Sequence, residues 1–60
     1  MTPRMAVAEI ANLHAAAAYF RFAAVRAQTE EAMVAALRDW LDTERVALRL
    51  ADEAAAEAVA

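Results

Sequence analysis

The sequence predicts an all-α fold: an antiparallel two-helix hairpin, with helices over about 3–27 and 30–58, forming one domain across residues 1–60 and expected to assemble into a four-helix bundle or to dock on a partner. Three observations carry this. Glycine is absent and the only proline is Pro3, while alanine fills 20 of the 60 positions. Alanine is the strongest helix former, and glycine and proline are the weakest. Apolar residues recur at helical spacing in both halves, and one capping signal interrupts them near the middle.

The first helix has a defined start. Thr2 suits the N-cap, and Pro3 suits the first helical position, where no backbone N–H is required. Ala6, Ile10, Leu13, Ala17, Phe20, Ala24 and Ala27 then follow at alternating spacings of four and three, the pattern of a packing seam. Arg26 falls where a helix C-terminus favours a cation. Thr29 caps the second helix, with Glu30 and Glu31 in its first turn. The expected seam of the second helix is Met33, Val34, Leu37, Trp40, Leu41, Leu48, Ala51, Ala55 and Val59. Arg38, Asp39, Asp42, Arg49, Glu53 and Glu57 form its solvated face.

A short turn near 28–29 makes facing residue numbers sum to about 57 or 58. Phe20 is then expected against Leu37, Ala17 against Trp40 and Leu41, and Ala24 against Met33 and Val34. Ile10 is expected against Leu48, and Ala6 against Ala51. Glu44 interrupts the apolar seam and faces His14, with Arg21 one heptad further along the same edge. A carboxylate on an apolar face requires a polar partner. His14, Glu44 and Arg21 are therefore expected to form a buried polar layer that fixes register or oligomeric state.

The first helix is apolar on a second side. Phe22 points about 160° away from Phe20, at about 100° per residue. Ala11, Ala15, Ala18 and Val25 share that side, and Tyr19 and Arg26 flank it. A two-helix hairpin has nothing to cover such a face. Ala15, Ala18, Tyr19, Phe22, Val25 and Arg26 are therefore expected to meet a partner, either a second copy or a larger protein. Ala15–Ala18 offer side chains small enough for that partner to approach closely.

Composition excludes several classes of function. No cysteine is present, which removes disulfides and thiolate metal sites. One histidine makes neither a zinc site nor a haem site without an attachment motif, so no cofactor or metal is expected. No nucleophile–base set stands out, so no enzymatic activity is expected. The formal net charge of −3 divides unevenly. Residues 1–28 carry three arginines and Glu9, giving 3 − 1 = +2. Residues 29–60 carry three arginines and eight acids, giving 3 − 8 = −5. The two halves attract each other, and an acidic chain lacks the broad basic surface of a nucleic-acid binder. Nucleic-acid binding through Arg4, Arg21 and Arg26 stands as the alternative. No transmembrane span or signal peptide is read, so a cytoplasmic location is expected. The use of arginine without lysine, together with the alanine content, hints at a bacterial or phage gene. A small non-enzymatic interaction module, such as a regulator, adaptor, inhibitor or accessory subunit, is the function this reading supports.

Overall fold

The computed structural model describes residues 2–59. Helix α1 spans Pro3–Arg26 and α2 spans Glu30–Val59. They fold back on each other as an antiparallel hairpin, a rod of 47 × 14 × 12 Å. A 30-residue helix is about 45 Å long, so α2 sets the length of the rod.

Both helices begin with the same device. Thr2 Oγ1 accepts from the Met5 N–H at 3.2 Å, and Thr29 Oγ1 accepts from the Ala32 N–H at 3.1 Å. The Thr2 and Thr29 carbonyls accept the first intrahelical bonds, from Ala6 and Met33. The end of α1 explains how the turn forms without glycine. Ala27 leaves the helix in an extended conformation, φ −63° and ψ 136°, while its N–H donates to the Ala24 carbonyl. Among the described residues none has a positive φ, so the turn needs no left-handed residue.

The seam of α1 follows the sequence pattern. Ala6, Ala17 and Ala24 are buried, and Ile10, Leu13, Phe20 and Ala27 are half-buried. The seam of α2 differs from the expected one. Ala36 and Ala47 are buried, and Leu37, Trp40, Thr43, Glu44, Leu50 and Ala54 are half-buried. Met33, Val34, Leu41, Leu48, Ala51, Ala55 and Val59, all assigned to the seam from their apolar character, are exposed. Leu48 is 65% exposed and Leu41 47%.

The correction has a steric cause. Every fully buried residue of the described chain is an alanine. Small positions of each helix lie level with larger side chains of the other: in the register set by His14 and Glu44, Ala17 is level with Trp40 and Thr43, and Ala47 with Ile10 and Leu13, to within about 3 Å. Turning Leu41 and Leu48 into the seam would wedge leucines against Ala17 and Ile10 and push the helices apart. Thr43 fits the seam because its hydroxyl donates to the Asp39 carbonyl, 2.7 Å away and one turn back, so its polar atom is satisfied within α2.

Two outcomes follow. Ala17, 1% exposed at the centre of the seam, should not accept a larger side chain. Ala17→Leu should cost about 1–3 kcal/mol by overpacking, whereas Ala16→Leu on the exposed neighbour should stay within about 0.5 kcal/mol. Urea unfolding followed by circular dichroism at one fixed protein concentration measures both. Thr29→Ala should cost about 1 kcal/mol through loss of the α2 cap, and Thr29→Ser should restore most of it in the same assay.

Candidate interaction surface

His14 and Glu44 are the polar pair that brings the two helices into register. His14 Nδ1 lies 3.3 Å from Glu44 Oε1, and the two residue numbers sum to 58. The pair sits at the middle of both helices. It is not the buried layer that the sequence led us to expect, because the two side chains remain 57% and 36% exposed. The reason is helical phase: each residue stands at the edge of its own alanine stripe, not at its centre. Arg21 is exposed and lines a shallow hollow of about 270 Å³ with His14, Ala18, Trp40 and Glu44.

This pair marks one flank of the rod. In an antiparallel hairpin, residues that step past His14 on α1 and past Glu44 on α2 leave the seam on the same side. At about 100° per residue, Val7, Ala11, Ala18, Phe22 and Val25 fall on that flank from α1. From α2 come Val34, Leu41, Leu48 and Ala55, spaced seven residues apart, with Leu37 beside them. Val25 is 80% exposed, and Val7, Phe22, Leu41 and Leu48 are also open to solvent. The opposite flank carries Glu9, Asn12, Asp39, Glu53 and Glu57, with Met5 and Val46 as isolated exposed apolar residues. The hairpin thus has one apolar flank, contributed by both helices, and one polar flank.

The six residues expected to meet a partner divide between two surfaces. Ala18, Phe22 and Val25 lie on the apolar flank. Ala15, Tyr19 and Arg26 lie on the back of α1, about 160–180° from Ala17. The Arg26 guanidinium sits 5.4 Å from the centre of the Phe22 ring, and the Tyr19 ring meets Phe20 edge-on with centroids 5.9 Å apart. Arg26 therefore rims the apolar flank, and Tyr19 stays on the back of α1 with its ring against Phe20.

Reading by apolar identity missed the share of α2 in this surface. The signal was present as the heptad spacing of Val34, Leu41, Leu48 and Ala55, a second stripe beside the alanine-centred one. Val7 was missed because it falls between the α1 stripe and the cluster around Phe22.

The rest of the surface is ordinary. Arg45 Nη1 and Asp42 Oδ1 are 3.3 Å apart, a highly exposed pair of the kind that adds little stability. Among the described residues no group of three or more His, Cys, Asp or Glu side chains converges as a metal site. No helix among them is long and apolar enough to cross a membrane. Comparison of the chain with protein-family models, with curated proteins and with solved structures finds no match.

Proposed function

We propose that this chain is a small protein–protein interaction module without enzymatic activity. It works by covering the apolar flank of its hairpin, with a second copy or with a larger protein. The observation that carries this reading is the amount of surface left open. A compact protein of this mass exposes about 3,800 Å². The hairpin exposes 4691 Å², an excess of roughly 900 Å². A standard protein interface removes about 800 Å² from each partner. The apolar flank is the natural place for that loss, because its large side chains stand in water while only alanine methyl groups are fully buried.

The charge supports the same reading over nucleic-acid binding. Arg4, Arg21 and Arg26 are strung along α1 over about 33 Å, at 1.5 Å per residue. They do not gather into one patch, and α2 with its net −5 runs beside them. A regulator, adaptor or accessory subunit needs only a shaped apolar surface with a polar rim, and this flank has both.

A module of this kind is incomplete by itself. The isolated chain should either associate, with an unfolding midpoint that rises as concentration rises from about 2 to 200 µM, or be a poorly folded monomer. Sedimentation equilibrium paired with thermal melts by circular dichroism distinguishes these states. A monomer that unfolds cooperatively at a high, concentration-independent temperature would overturn the proposal. Phe22→Glu and Leu48→Glu should each weaken the assembly at least about tenfold, which is about 1.4 kcal/mol. Val46→Glu on the polar flank should leave it unchanged.

A further inference from the structure

The apolar flank has the features of a self-complementary surface. The His14–Glu44 contact sets α1 and α2 level where residue numbers sum to 58. Ala18 is then level with Leu41, Ala11 with Leu48, Phe22 with Leu37 and Val25 with Val34, each to within about one residue rise of 1.5 Å. At the two levels nearest the centre, a small residue on α1 stands at the height of a leucine on α2, while Phe22 with Leu37 and Val25 with Val34 pair large residues toward the loop. Above and below the central His14–Glu44 level, α1 presents Ala11 and Ala18, and α2 presents Leu48 and Leu41.

We propose that a second copy of this chain covers the flank. The two hairpins lie side by side with their loops at the same end, and a two-fold axis runs along the rod between them. This rests on the interaction-module reading and specifies its partner. The symmetry preserves height, so α1 of each copy lies on α2 of the other. Leu41 and Leu48 of one copy enter the space left by Ala18 and Ala11 of the other. The product is a four-helix bundle in which every neighbouring helix is antiparallel.

Charge selects this arrangement over the other simple face-to-face dimer. With the axis across the rod, α2 would lie on α2, bringing Glu44 toward Glu44. It would also set Leu41 against Leu48 and Ala11 against Ala18, large on large and small on small. With the axis along the rod, α1 lies on α2, and His14 of each copy stands over Glu44 of the other. The ends of the rim follow the same rule. Arg26 and Glu30 come within about 3 Å of the same height between copies, as do Arg4 and Asp52, at 1.5 Å per residue.

The chain has no cysteine, so single-cysteine variants report the arrangement directly. Ala18→Cys and Leu41→Cys chains are mixed, co-refolded and oxidised with diamide. The same is done for Val25→Cys with Val34→Cys at the loop end, which keeps the test intact if either central variant misfolds. A third mixture combines Leu41→Cys with Leu48→Cys. The arrangement requires the first two mixtures to give cross-linked heterodimers as the main product and the third to give little. Dominant Leu41–Leu48 cross-linking, or a wild-type dimer in which neither of the first two pairs cross-links, would overturn this packing while leaving the interaction-module reading in place. A wild-type chain that stays a poorly folded monomer at every concentration would also overturn it and would assign the flank to a different protein. A stable monomer would remove both proposals together.

Discussion

The structure depends on small side chains set along one line of each helix, which let the two helices close on each other. Ala6, Ala17 and Ala24 of α1 and Ala36 and Ala47 of α2 are the buried residues of the described chain. At roughly 0.8 kcal/mol per buried methyl group, they contribute about 4 kcal/mol. Ile10, Leu13, Phe20, Leu37, Trp40 and Leu50 add partial burial around them. This is a thin core for 60 residues. Its shape matters more than its size, because it decides which side of each helix is spent on the hairpin and which side is left over.

What is left over is not random. Both helices carry more apolar surface than a single seam can use. Antiparallel pairing sends the surplus from α1 and the surplus from α2 out on the same flank. Val7, Phe22 and Val25 therefore join Val34, Leu41 and Leu48 in one surface, while Glu9, Asp39, Glu53 and Glu57 share the other. The His14–Glu44 contact lies between the seam and the apolar flank, at the middle of the rod. Half-exposed, it holds register with little energy. Covered by a partner, it would lose water and gain weight as a determinant of alignment. On the interaction-module reading proposed above, function resides in the uncovered flank, with no cleft required.

Sequence reasoning recovered the elements closely and one side of the packing well. The Thr2 and Thr29 caps, the break before Glu30 and the whole α1 stripe were legible, because each is a local matter of hydrogen bonds and helical period. The pairing of His14 with Glu44 was legible too, since a short turn fixes which residues face each other. The depth of that pair was not. A pairing rule says which residues meet, and only the phase of both helices says how far into the seam they stand.

The sequence by itself determined that this chain is two helices, where they start and stop, and that it carries more apolar surface than a hairpin can bury. Only the tertiary structure decided which of two adjacent stripes on α2 faces α1. Those stripes lie about a third of a turn apart and both repeat at heptad spacing. Hydrophobicity favours the one with Val34, Leu41 and Leu48. Packing against α1 favours the other, which carries Ala36 and Ala47 together with Trp40, Thr43 and Leu50, because close packing rewards side chains that fit the facing surface over side chains that are merely larger.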